Sequence, residues 1–149
     1  QWLINWQLFN LMISNYDSHG KNVSLVFSKR NSRFTPAYDL VNVAMFPQFK
    51  HVMAMAMGDE FEPERINAYQ LADFAETCGV NKKLLSRQLT DLAHKVVQTL
   101  TQHQFIETIT QGPHFTEDDR HYMAEVKEHV LTRTQHLRSQ APDIPDIEV

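Results

Sequence analysis

From Gln1 to Ile13, apolar residues occupy nearly every side of a helix. Trp2, Trp6, Phe9 and Ile13 follow one stripe, and Ile4, Leu8, Leu11 and Met12 fill the neighbouring directions. A helix that is apolar on most sides belongs in the centre of a domain, so the pattern predicts a buried core helix that serves as a rigid mount for the next segment. The pattern stops at Asn15–Asn22, where Asn, Asp, Ser and Gly predict a loop, because their side chains satisfy local backbone groups or φ can turn positive. Val23–Phe27 is rich in β-formers, Ser28–Ser32 reads as a polar turn, and Arg33–Thr35 returns as a second strand closed by Pro36. Such a hairpin sets the Asn15–Asn22 loop beside the loop that carries Asp39.

Between Val41 and Pro63 the pattern is ambiguous. Met53-Ala54-Met55-Ala56-Met57-Gly58 alternates large and small, which suits a strand or the start of a helix, and methionine stripes are usually core filler. Ile66–Cys78 is helical by period, with Ala68, Leu71, Ala72 and Ala75 on one face and Gly79 as its stop. Asn81 caps a longer helix carrying Leu85, Leu89, Leu92, Val96 and Leu100. Thr116 opens a last helix with Glu117, Asp118 and Asp119 at its positive end and a stripe of Met123, Val126, Val130 and Leu137. Residues 141–149, with two prolines and three acids, are expected to fray. The predicted fold class is mainly α: a helical bundle with a small β-hairpin next to a functional loop.

Composition narrows the picture only a little. A chain of 149 residues, 42% hydrophobic and 21% charged, suits one folded domain or one lobe of something larger. Its first apolar run is broken by Asn5, Gln7 and Asn10 and is too short to span a bilayer, so no membrane role is expected. A net charge of −4 lacks the basic excess of a nucleic-acid surface. Cys78 is the single cysteine, which excludes an internal disulfide and a thiolate zinc site and fits a reducing cytoplasm. The chain opens on Gln with no signal-peptide pattern, as expected of a sequence that starts inside a longer protein.

The chemistry gathers in Ser14-Asn15-Tyr16-Asp17-Ser18-His19-Gly20-Lys21-Asn22 and in Pro36-Ala37-Tyr38-Asp39-Leu40. Phosphoryl transfer needs positioning and charge neutralisation more than covalent help. Mg²⁺ takes hard oxygen ligands and keeps several waters, so one carboxylate and one amide beside phosphates suffice, and Asp39 and Asn22 supply that pair. Asp17 is left to accept or orient the proton of an attacking hydroxyl. Lys21 can set a positive charge against a phosphate, and His19 can hydrogen-bond one or brace the loop. Singly, each residue has a plainer use: Asp17 and Asp39 as turn or helix caps, His19 as a structural ring, Lys21 as a solvated charge. Their order (Asp, Asn five residues on, hairpin, Asp, all behind a buried helix) is the specific signal.

These two segments closely resemble the C-terminal lobe of the HipA-type toxin kinases, the serine/threonine kinases of bacterial toxin–antitoxin modules. The likeness extends through Ala56-Met57-Gly58 and the helical region, with Asp59 where a second glycine often follows. It implies Asp17 as catalytic base and Asn22 and Asp39 as Mg²⁺ ligands. His19, Gly20, Lys21 and Asn22, with Tyr38, would line the ATP phosphates. It also implies a cytoplasmic kinase acting on a protein hydroxyl, an aminoacyl-tRNA synthetase in family members, under restraint by an antitoxin protein. The Gly-rich phosphate loop and β3-type lysine of a kinase are not in this sequence and belong to an N-terminal lobe, so residues 1–149 are expected to bind ATP poorly alone. Two other readings stay open: a non-catalytic helical module that binds a protein partner, and a metal-dependent hydrolase on Asp17 and His19, which lacks an evident third ligand.

Overall fold

The computed structural model describes residues 1–102 and 104–149. Among them are five α-helices and one two-stranded antiparallel hairpin: α1 (Trp2–Met12), β1 (Leu25–Phe27), β2 (Ser32–Phe34), α2 (Ala68–Thr77), α3 (Lys82–Leu100), α4 (Phe105–Ile109) and α5 (Glu117–Gln140). Single 3-10 turns lie at Gly20–Asn22, Val43–Met45, Pro63–Arg65 and Ile144–Asp146. The mainly α class and the adjoining hairpin agree with the sequence pattern.

Helices α1, α3 and α5 pack on one another, and α2 leans on α3. The core is built from Leu8, Leu11 and Met12 of α1, Leu71, Ala72 and Ala75 of α2, Leu85, Leu89 and Ala93 of α3, and Leu137 of α5. Helix α1 is less enclosed at its start than its composition predicts. Trp6 to Met12 are buried apart from a half-buried Phe9, while Leu3 is 47% exposed. Trp2 stacks on Phe34 of β2 at 4.6 Å between ring centres, which ties the head of α1 to the hairpin.

Each helix boundary has a local cause. α1 ends in a Schellman turn: the Asn15 amide donates to the Asn10 carbonyl at 2.9 Å and Ser14 to Leu11 at 3.3 Å, with Ser14 left-handed at φ 56°. α2 is capped by Asn67, whose Oδ1 accepts from the Tyr69 amide, and ends in the same motif with Gly79 at φ 63°. Asn81 caps α3 through the Leu84 amide, and Thr116 and Asp119 cap α5 reciprocally. The hydrogen bonds that Thr116 donates hold the Asp119 carboxyl below its ordinary pKa.

Four local expectations are corrected. The first strand is two residues shorter than predicted and the second starts one residue earlier at the same length, pairing Leu25 with Phe34 and Phe27 with Ser32. Met53–Gly58 is neither strand nor helix. It runs as an irregular segment sewn to the site loop by the Ala54 amide on the Tyr16 carbonyl at 2.7 Å, with Met53 and Met57 in the core. Helix α4 went unpredicted, since five residues carry too little periodicity to read. The tail expected to fray is folded instead. Ala141 and Ile144 are buried in the core, the Ala141 carbonyl accepts from Ser86 Oγ at 2.6 Å, and Lys82 Nζ reaches the Ile147 carbonyl at 2.9 Å. Prolines and acids signalled a loose end, but Ile144 and Ile147 supply an apolar anchor between them.

Ile144→Ala tests that anchor. Removing a fully buried isoleucine side chain should cost about 2–5 kcal/mol, read as a lower urea midpoint at constant m-value. A midpoint unchanged from wild type would mean the tail does not pack.

Candidate active site

The site is assembled at the C-terminal end of α1. That end delivers a ladder of side-chain amides. Asn10 Nδ2 donates to the Trp6 carbonyl at 2.8 Å, and Asn15 Nδ2 donates both to Asn10 Oδ1 at 2.8 Å and to the Asp39 carbonyl at 2.9 Å. Asn10 and Asn15 are both buried. A buried amide without partners is costly, so each rung fixes the next, and the last rung is the backbone of Asp39. Asp39 has φ 58°, a left-handed conformation that Asp tolerates better than most residues but that still needs external support.

The far end of the Asn15–Asn22 loop is held by its own turn. The Asn22 amide donates to the His19 carbonyl and Asn22 Oδ1 accepts from the His19 amide, both at 2.9 Å, which closes the 3-10 turn Gly20–Asn22. Asn22 Nδ2 then reaches Asp39 Oδ2 at 2.5 Å. The hairpin therefore does what its place in the sequence predicts: it returns the chain so that residues 17 apart touch. Tyr38 braces the junction, its hydroxyl donating to the Lys21 carbonyl at 3.0 Å and pairing with Ser24 Oγ at 2.8 Å.

Among the candidate residues, Asn22 is buried, His19 is half-buried, and Asp17, Gly20, Lys21, Tyr38 and Asp39 are exposed. The His19 Nδ1 atom is buried without a protein partner among the described residues. Asp17 and Asp39 line one pocket of about 520 Å³, walled by Val41, Val43, Phe46, Phe49 and Val52 and bordered by Lys50. Asp17 makes no side-chain hydrogen bond or ion pair with the other described residues, so its carboxylate is open to an incoming donor. Asn22 and Asp39 are of the types magnesium takes: Asp39 offers an exposed carboxylate, while Asn22 turns its Nδ2 to that carboxylate and its Oδ1 to the His19 amide, so the Asn22 amide would have to turn over to hold the ion by its oxygen. Among the described residues no three His, Cys, Asp or Glu side chains converge, which leaves the hydrolase reading of Asp17 and His19 without the third ligand that a zinc centre uses.

Three features of the site escaped the sequence pattern. One is the amide ladder; Asn10 registered only as a break in an apolar run. The second is the pocket wall from Val41 to Ala54, which has no helical or strand period. The third is a contact across the bundle, where His129 Nε2 of α5 meets Ser14 Oγ at 2.9 Å, three residues before Asp17. Burial lowers the His129 pKa below 6.5, opposed by the Glu64 carboxylate and reinforced by Arg133 and His51. Nothing local in the sequence joins residues 115 apart.

Comparison with known proteins agrees with this architecture. Residues 1–102 match the family model of the HipA-like C-terminal domain. The chain is 37% identical over 147 residues to a protein named serine/threonine-protein kinase toxin HipA, from Shewanella oneidensis strain MR-1, covering 99% of this chain and 33% of that protein. It is 30% identical over 98 residues to a putative kinase, Y4mE, of Sinorhizobium fredii, covering 66% of this chain and 23% of that one. A solved structure of the Shewanella oneidensis HipA, HipB and operator DNA complex superposes with a TM-score of 0.85 at 37% identity, over 98% of this chain and 33% of that chain. The chain thus spans about a third or less of the length of the relatives it matches. No helix among the described residues is long and apolar enough to cross a membrane.

Two predictions test the supports. Asn15→Ala strands the Asn10 amide oxygen and the Asp39 carbonyl, and should cost about 1–3 kcal/mol in urea unfolding; a loss under a few tenths would show that the ladder carries no load. His129 has a folded-state pKa below its unfolded value, so the unfolded chain binds the proton more readily. Stability from this group is whole above pH 6.5 and is lost as pH falls from there through the folded pKa. The fall in Tm between pH 7.5 and 5.5 should therefore be smaller in His129→Gln than in wild type. Equal falls would remove His129 as the cause.

Proposed function

The chain belongs to the HipA-like C-terminal domain family, and from that premise we propose that it is the catalytic lobe of an ATP- and Mg²⁺-dependent protein serine/threonine kinase of a toxin–antitoxin module. The observation that carries this reading is the contact of Asn22 with Asp39, a carboxylate that lines the same pocket as Asp17. A carboxylate and an amide set side by side, with a separate carboxylate free to take a proton, are the acidic parts that phosphoryl transfer uses.

In this reading Asp17 receives the proton of the acceptor hydroxyl as that oxygen bonds to the γ-phosphorus, and the bond from the γ-phosphorus to the bridging oxygen breaks to release ADP. Asp39 and Asn22 would hold the metal. Magnesium, when bound, neutralises charge on the phosphates and holds them for transfer. Lys21 contributes an exposed cation to the phosphates, Gly20 presents backbone with no side chain in the way, and His19 offers its ring to them. Tyr38 keeps the turn in place through the Lys21 carbonyl. The acceptor is a protein hydroxyl, an aminoacyl-tRNA synthetase being the substrate that the family resemblance suggests, and the restraining partner is an antitoxin protein. This lobe needs no direct nucleic-acid contact for that role. The names of the two relatives, a serine/threonine-protein kinase toxin and a putative kinase, support the assignment.

The test is transfer of labelled phosphate from ATP by the intact protein, with Asp17→Asn and Asp39→Asn beside wild type. Asp17→Asn should lower the rate by roughly 10²–10⁴-fold while nucleotide still binds. Asp39→Asn should abolish the magnesium-dependent part of nucleotide binding. Equal labelling by all three proteins would overturn the assignment, and a folded wild type that binds nucleotide but transfers nothing would favour a module that only binds a partner.

A further inference from the structure

The pocket beside Asp17 holds more than the reacting carboxylates need. Its walls are Val41, Val43, Phe46, Phe49 and Val52, with Phe46 and Phe49 edge to face at 6.1 Å between ring centres. Val41, Phe49 and Val52 are between 41% and 58% exposed, so apolar surface faces water next to a polar site. At about 520 Å³ the pocket is the size of one that takes a small ligand or a few residues of a peptide.

Two occupants are chemically reasonable, a nucleotide base or part of the acceptor, and the lining separates them. Asp17 and Asp39 border the pocket, but His19, Gly20, Lys21, Asn22 and Tyr38 do not. The residues assigned to the phosphates therefore do not line the pocket, and Asp39, which touches Asn22, is where the two regions meet. Whatever fills the pocket meets the proton-accepting carboxylate directly and lines up against none of the phosphate-turn residues, as suits an acceptor segment. Charge narrows the choice further. Two carboxylates and one ammonium, that of Lys50, line the pocket, so an acidic side chain is disfavoured and a neutral apolar one gains burial at no electrostatic cost. The segment is also firmly placed: the Val43 amide donates to the Ser14 carbonyl at 3.0 Å and the Ala54 amide to the Tyr16 carbonyl at 2.7 Å, so the walls are sewn to the loop that bears Asp17.

We propose that the Val41–Val52 pocket is the acceptor subsite, selecting a hydroxyl-bearing peptide segment with a large aliphatic residue close to the phosphorylated serine or threonine. This rests on the kinase reading and adds a substrate class to it. The aliphatic side chain enters between Val41, Phe46 and Val52, which brings the neighbouring hydroxyl to Asp17.

A serine peptide library tests it, with Leu, Ala or Glu fixed in turn at each of the three positions on either side of the serine, and with the intact protein and MgATP. Wild type should prefer Leu to Ala by roughly tenfold in kcat/KM at one position, the discrimination that an apolar pocket gives, and should disfavour Glu there. Val52→Asp and, separately, Phe49→Ser should bring the Leu-to-Ala ratio near unity; both side chains are exposed enough for the fold to accept the change. Phosphorylation with no preference at any position would overturn the subsite and leave the kinase reading standing. So would a Val52→Asp protein that keeps the peptide preference but binds MgATP about tenfold more weakly, since the pocket would then belong to the base. A wild type that transfers phosphate to no peptide or protein would overturn both.

Discussion

The site depends on a few side-chain amides placed where apolar residues would normally be. Asn10 sits in the core-facing end of a helix built from Trp, Leu, Phe and Met, and among the described residues its amide finds partners in the Trp6 carbonyl of its own helix and in Asn15. Buried amides are tolerated only when satisfied, and a ladder of them has one good arrangement because a shift of any member strands the others. The ladder ends on the Asp39 carbonyl. The placement of an exposed carboxylate is thus decided inside the core, and the stiffness of α1 is passed to a residue 24 positions beyond Asn15 without any regular element reaching Asp39.

The hairpin between the loops takes a different part. Leu25, Val26 and Phe27 are all exposed, and a two-stranded hairpin is marginal by itself in water. It is kept in place at its base, by the Trp2–Phe34 stack on one side and the Tyr38 hydroxyl on the other. Its contribution to the site is length and direction: it leaves the loop at Asn22, turns at Ser28–Asn31, and returns the chain so that Asp39 meets Asn22. Packing energy is not needed for that, which is why so exposed an element can matter to the geometry.

How much was legible in the sequence depends on the range of each interaction. Helix starts at Asn81 and Thr116 are side chain to backbone contacts within three residues, so residue type announces them; the Asn67 cap of α2 is of the same kind, but the apolar period alone put that start at Ile66. The joining of the two loops was legible because a hairpin is short and its turn is marked. The end of α1 was legible from the close of the apolar run at Ile13, one residue past Met12, but its cause was not, because Ser14 fills the left-handed position that Gly79 fills in α2 and serine gives no such signal. The segment 41–63 follows no period, since its order comes from single backbone bonds to Ser14, Tyr16 and Phe61 rather than from a repeating face. The tail misled for the opposite reason: its composition is that of a loose end, while the few buried contacts that fix Ile144 leave no pattern.

The left-handed serine also links the two halves of the molecule. A non-glycine residue in that conformation costs about 1–2 kcal/mol, and something outside the turn must hold it. Ser14 is fully buried, its hydroxyl is against His129, and its carbonyl accepts from both Tyr16 and Val43. The ring that holds it comes from α5, whose own place is fixed by Arg133 bonded to the Pro63 carbonyl and by His136 on the Ile66 carbonyl at 3.2 Å. The helical half carries none of the candidate catalytic groups, yet it determines where the loop leaves α1 and where the wall of the apolar pocket begins. The strain at Ser14 is therefore best understood as the point at which the bundle positions the loop: a glycine there would relax the backbone but remove the hydroxyl that registers α5 against the loop of Asp17.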